Sequence, residues 1–189
     1  GLTSMYRGID NPIYYLLDSN DASYLNYSGC GNTINCNHPV VSDLILDSLR
    51  FWVQEMRIDG FRFDLAAIMS RGPTGAVLPD PPLLQRIADD PLLQDTKLIA
   101  EAWDASGLYQ LGHFSKDPRW LEWNGRFRDE VRSFMRDQDD TTRRLATRIA
   151  GSSDLYQDEG KSPLNSINFV TCHDGFTLYD LVSFDAKQN

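Results

Sequence analysis

Cysteine is scarce in this sequence. Cys30, Cys36 and Cys172, in a chain of 189 residues, are too few for a disulfide scaffold. Cys30, Cys36 and His38 do sit together in "CGNTINCNH". A zinc site there would want a fourth ligand at ordinary spacing, and none stands nearby, so no metal is expected. No stretch approaches the ~20 apolar residues of a membrane span. The opening "GLTSMYRGIDNP" has no basic region followed by an apolar one, so no signal peptide is visible. Positive charge is also short: 18 Lys and Arg face 27 Asp and Glu, for a formal charge of −9. Such a chain is a poor candidate for nucleic acid or an anionic membrane surface and suits a neutral substrate. Internal repeats and low-complexity tracts are absent, and "GCGN" lacks the lysine and the strand–loop–helix setting of a phosphate loop.

What remains is an ordinary globular composition, 41% hydrophobic and 24% charged, long enough for a sizeable core. Residues 1–41 read as a loop-rich lead-in. "SDLILDSLRFWVQEMR" reads as a helix capped by Ser42, with Ile45, Leu49, Trp52, Val53 and Met56 on one stripe. It runs into a strand over 58–64. After the Gly/Pro-rich "SRGPTGAVLPDPP", Pro82 can start a second helix. Strands follow at 97–103, 119–124 and 166–174. Helices are expected from "GRFRDEVRSFMRD", with Phe127, Val131 and Phe134 on one face, from "TTRRLATRIAG", ended by Gly151, and from "GFTLYDLVSF". Strands alternating with helices argue for a parallel sheet with helical crossovers, an α/β fold.

One strand carries charge where packing is expected. In "IDGFRFDLA" the period of two puts Arg62 and Asp64 on one face and Phe61, Phe63 and Leu65 on the other. Each of the three clear strands also runs to an acid: Asp64, Glu101 and Asp174. In a parallel α/β barrel the strand C-termini open onto one face, where chemistry sits. Carboxylates brought together there cannot all ionise normally, so one keeps its proton. A protonated acid beside a carboxylate is the equipment of glycoside hydrolysis. Helix capping by any one of these acids is the plainer alternative. Cys172 and His173 are adjacent, so their side chains diverge on a strand, and nothing orients the histidine for a cysteine nucleophile.

"DGFRFDLA", "LIAEAWD" and "FVTCHDG", in this order, resemble three of the short conserved regions of the α-amylase superfamily of glycoside hydrolases. The flanks "NYSGCGNTINCNHP", "WLEWNGRFRDEVRSF" and "HDGFTLYDLVSF" resemble its isoamylase and glycogen-debranching branch, which cleaves α-1,6 branch points. The resemblance implies Asp64 as nucleophile, Glu101 as general acid/base and Asp174 as the third acid that holds sugar hydroxyls. It implies Arg62 beside the nucleophile and His173 on the sugar, and Trp103 is a candidate for stacking on substrate. It implies a branched α-glucan substrate, a retaining mechanism and a cytoplasmic or plastid-stromal setting. Some members of the superfamily bind calcium, but the sequence has no clustered oxygen-ligand loop, so no cofactor is expected. The superfamily's remaining region, an Asp and a His at the end of the third barrel strand, has no match before residue 58. The chain is therefore expected to be the central part of a (β/α)8 TIM barrel, about strands four to seven. Non-catalytic glucan-binding subunits and other α-glucan hydrolases or transferases are the alternatives; the former are marked by lost acids, and here all three stand.

Overall fold

The computed structural model describes residues 5–138 and 140–186. Along the chain run α1 (Asn11–Tyr14), α2 (Pro39–Gln54), β1 (Gly60–Phe63), α3 (Pro82–Asp89), β2 (Lys97–Ala100), β3 (Trp120–Trp123), α4 (Gly125–Met135), α5 (Thr141–Ile149), α6 (Ser153–Tyr156), β4 (Ser166–Ile167) and α7 (Leu178–Ser183). The four strands form one parallel sheet in the order β1-β2-β3-β4. The α/β class and the parallel sheet expected from the alternating pattern are present.

α2 begins earlier than the sequence suggested. Pro39, with its fixed φ and no N–H to leave unpaired, occupies the first turn. His38 Nδ1 accepts from the Val40 N–H at 3.3 Å, so His38, not Ser42, is the cap. Ser42 is buried inside the helix and accepts from Arg86 Nη1 at 2.6 Å, which ties α2 to α3. Trp52 and Met56, placed on the buried stripe by periodicity, are exposed, whereas Leu46 is buried. Cys30 is exposed and Cys36 buried, and among the described residues they form no metal cluster with His38.

The core lies on one face of the sheet. The register aligns Phe61 with Leu98 and Leu98 with Trp120. These side chains pack against Leu46 and Leu49 of α2 and Leu83, Leu84 and Ile87 of α3. Phe63 and Phe114 flank the Trp120 ring at 5.1 and 5.3 Å between centroids. Arg119 donates to the carbonyls of Ala88, Leu93 and Thr96, closing the turn after α3 onto the start of β3.

β4 is far shorter than the expected 166–174, and the cause is its neighbour. β3 stops at Trp123 because Asn124 turns out of the sheet to cap α4, its Oδ1 accepting from the Phe127 N–H at 2.9 Å. Residues beyond Ile167 then have no β3 backbone to pair with. Arg132 of α4 instead donates to the Val170 carbonyl, through Nε at 2.9 Å. Asp174 is therefore carried by an irregular segment, not by a strand end.

Candidate active site

The ladder that builds the core also builds the site. Phe63 pairs with Ala100, Ala100 with Glu122, and Trp123 with Ile167. One step further along, Asp64, Glu101 and Trp123 fall in one row across the C-terminal edges of β1, β2 and β3. By the pleat, Arg62 and Asp64 share the face opposite the Phe61 and Phe63 core. The zipper continues past the strands: Glu101 N–H donates to Phe63 O at 3.1 Å, and Ala66 N–H returns to Glu101 O at 2.8 Å.

Leu65 breaks the strand pattern. It adopts a left-handed conformation (φ 43°, ψ 47°) and caps a 3-10 helix over Ala66–Ser70, so it does not extend the Phe61–Phe63 face. A non-glycine residue there is strained, and such strain gathers at functional sites. The turn aims the Leu65 N–H at Glu101 Oε2, 2.8 Å away.

Arg62 joins the two acids. Its Nη1 donates to Asp64 Oδ1, and its Nη2 lies 2.8 Å from Glu101 Oε2. The second contact is an ion pair off the hydrogen-bond axis, since Nη2 and Nε have no hydrogen-bond acceptor among the described residues. The guanidinium carbon sits 4.1 Å from the centroid of the Trp123 ring, a cation–π contact that fixes the fork. His173 Nε2 lies 3.4 Å from Asp64 Oδ1, and one donor atom each from Asp64, Glu101 and His173 falls within 4.8 Å of the others.

The two carboxyls are driven apart electrostatically. Glu101 is 4% exposed, and burial pushes its pKa up, helped by the charge of Asp64 and opposed by Leu65 N–H and Arg62. Asp64 is more open. Partial burial works against its charge, but the hydrogen bond and charge of Arg62 outweigh this and hold its carboxyl below the usual range. One group is equipped to hold a proton and its neighbour to remain ionised.

Of the residues singled out by sequence, Arg62, Asp64, Glu101 and His173 come together. Asp174 does not join them: it is exposed, and its carboxylate makes no hydrogen bond or ion pair among the described residues. Trp103 leaves the strand in a tight turn, its N–H bonded to Glu101 O at 2.8 Å, and stacks on Tyr109 with centroids 5.7 Å apart and planes 11° from parallel. This pair fits because residue 125 is glycine; a Cβ there would come 2.7 Å from the Tyr109 hydroxyl. Sequence reading missed Trp123 and the Leu65 N–H. Trp123 was findable from the β2–β3 register, had that been known, whereas nothing in the residue type of Leu65 announces a left-handed turn.

No protein-family model matches the chain. Among curated proteins it is 56% identical over 185 residues to isoamylase 3, chloroplastic, of Oryza sativa subsp. japonica, covering 97% of this chain and 24% of that protein. It is 50% identical over 190 residues to a glycogen debranching enzyme of Erwinia tasmaniensis, covering 100% of this chain and 28% of that one. Among solved structures, a pullulanase from Anoxybacillus sp. LM18-11 complexed with maltotriose superposes with a TM-score of 0.70 at 26% identity, over 90% of this chain and 25% of the other. The chain thus spans about a quarter of the length of the relatives it matches and belongs to the isoamylase and glycogen-debranching branch of the α-amylase superfamily.

Proposed function

We propose that the protein containing this chain hydrolyses the α-1,6 branch linkages of glycogen- or starch-type glucans, with retention of anomeric configuration. On this reading residues 1–189 form the central part of a (β/α)8 barrel, about strands four to seven. The face carrying Arg62, Ile99, Leu121 and Trp123 would be the barrel interior. The setting would be the cytoplasm or the plastid stroma; no helix among the described residues is long and apolar enough to cross a membrane.

The observation that carries the proposal is the pair Asp64 and Glu101: adjacent in one row, oxygens within 4.8 Å, and shifted in opposite directions. Retaining glycosidases hold their two carboxyls about 5–5.5 Å apart, whereas inverting enzymes need about 6.5–9.5 Å for a water between them. The close spacing supports the former. In the first step the Asp64 carboxylate attacks the anomeric carbon while the Glu101 proton passes to the departing glucan oxygen. The C–O bond breaks, and a glycosyl ester forms on Asp64. In the second, Glu101, now a carboxylate, takes a proton from water. The hydroxide oxygen displaces Asp64, which leaves as carboxylate, and Glu101 is again protonated.

Arg62 keeps Asp64 ionised and contacts the acid. His173, whose Nε2 lies 3.4 Å from Asp64 Oδ1, would bind a hydroxyl of the sugar under attack. Asp174, next to it in the chain, is assigned to sugar hydroxyls rather than to the reacting atoms. Trp103 offers a ring near the acid for stacking. The test is product analysis of the full-length protein on amylopectin or glycogen. Release of linear chains whose new reducing ends are first α supports the reading; β product, or no debranching, overturns it.

A further inference from the structure

The Gly/Pro-rich stretch after β1 contains Arg71, an arginine only 8% exposed. Each nitrogen of its guanidinium has a partner. Nε and Nη2 reach Asp104 Oδ2 at 2.9 and 2.6 Å, Nη1 donates to Gly75 O at 2.7 Å, and Nη2 also donates to Ser106 Oγ at 3.0 Å. The Tyr27 ring covers its flat face, with the guanidinium carbon 3.7 Å from the ring centroid. The other oxygen of Asp104 is equally occupied, accepting from the N–H groups of Ser106 and Leu108 and from the Ser106 hydroxyl.

The position of this pair in the chain gives it consequence. Arg71 closes the segment that leaves Asp64, and Asp104 lies three residues past Glu101. Between these two points the segments are already stitched by Leu65 N–H to Glu101 Oε2 and Ala66 N–H to Glu101 O. A further link runs from Ser70 Oγ to Gln110 Oε1 at 3.0 Å. Through Tyr27, whose carbonyl accepts from the Ala105 N–H at 2.9 Å, the lead-in joins the same knot. A planar fork buried against a carboxylate is rigid in a way a lysine is not.

We infer that Arg71 and Asp104 are positioning residues for the reaction: they lock the segment following Asp64 to the segment following Glu101 and so fix the spacing of the two carboxyls. The inference rests on the roles given to Asp64 and Glu101 above. Neither Arg71 nor Asp104 contacts the reacting atoms. Loosening the lock lets the Leu65 N–H drift from Glu101, which removes a donor that favours the carboxylate. The alkaline limb of the rate, where Glu101 loses its proton, then moves to higher pH.

The experiment uses the full-length protein and amylopectin, with Arg71→Ala, Asp104→Asn and Glu101→Gln compared at matched folded fraction. For Arg71→Ala, kcat should fall about a hundredfold, the scale of a small misplacement of reacting groups, with KM within about twofold of the unaltered protein. Its alkaline limb should move up, and added methylguanidinium should restore part of kcat, which it should not do for Glu101→Gln. Should Arg71→Ala fail to fold, Asp104→Asn carries the test through the same loss of kcat and the same limb. A folded variant with unchanged kcat, or a loss confined to KM, overturns the inference. So does a loss of kcat with an unmoved limb and no rescue. Near-normal turnover by Glu101→Gln would instead remove the catalytic reading on which the pair's role depends.

Discussion

At the scale of single residues, the site brings oxygens of two carboxyls within 4.8 Å of each other and gives the two groups different surroundings. Asp64→Asn and Glu101→Gln keep size and remove the charge or the proton, so each should lower debranching by the full-length protein by at least about 10²–10⁴-fold. Arg62→Lys should also fail badly, because a point charge cannot hold Asp64, approach Glu101 and lie on Trp123 together. Stability follows with the opposite sign for Glu101. Its pKa is raised in the folded state, so the folded protein holds this proton after the unfolded chain has released it. Stability therefore falls as pH rises from the unfolded value of about 4.3 through the folded one. Glu101→Gln should raise the melting temperature at neutral pH, with the gain shrinking in acid, as measured by calorimetry across pH. An equal melting temperature at pH 7 would show that burial does not oppose the charge. Arg62 and Asp64 were legible as a pair from alternation alone. Trp123 was not, because its place depends on which residue of β2 it faces.

At the scale of elements, a second buried knot holds β3 in place. Glu122, fully buried, accepts from Lys161 Nζ at 2.7 Å and from the Gly112 N–H, and Lys161 also donates to Gly112 O at 2.8 Å. Removing one partner strands the other without water. Lys161→Met should destabilise the protein by about 3–5 kcal/mol, and adding Glu122→Leu should recover much of the loss. Gly112 cannot bear a side chain: φ is +90°, and a Cβ would meet Leu155 O at 2.4 Å. Gly112→Ala should cost at least about 1–3 kcal/mol in denaturant unfolding. Helices and strands were recognisable by periodicity and by boundary residues such as Pro82 and Gly151, and the α/β class followed from their order. Their ends were less so. Asn124 ended β3 by capping α4, which shortened β4 and moved Asp174 off a strand, and sequence patterning along one segment contains no trace of its neighbour's end. Pro39 likewise began α2 before Ser42.

At the scale of the whole molecule, the sheet is covered on one face and open on the other. Leu98, Ala100 and Trp120 of the core face are fully buried, whereas Arg62, Ile99, Leu121 and Trp123 opposite are only partly so. β1 and β4 have no outer neighbour among the described residues. Val182, Leu178 and Met135 lie exposed around a hollow of about 550 Å³ between α4 and α7. Free strand edges and apolar surface of this kind seek partners. The 189-residue chain expressed alone should therefore self-associate and show no debranching activity. Sedimentation with an activity assay checks this, and a monomeric, active 189-residue chain would contradict the partial-barrel proposal. The parallel sheet was legible from the order of its strands and helices, but which face stays open was not, because alternation along one strand does not say which side the helices cover.

The central claim is that Asp64 and Glu101 divide nucleophile and acid/base between them, and a trapped intermediate tests it most directly. A glycosyl fluoride needs no proton to leave, so in the full-length Glu101→Gln protein the first step should proceed. The second, which needs a base for water, should stall. Peptide mass spectrometry of that variant after treatment with α-maltosyl fluoride should find the added maltosyl group on the peptide containing Asp64, at Asp64 itself. An adduct on a different residue, or turnover of the fluoride with none accumulating, would contradict the account.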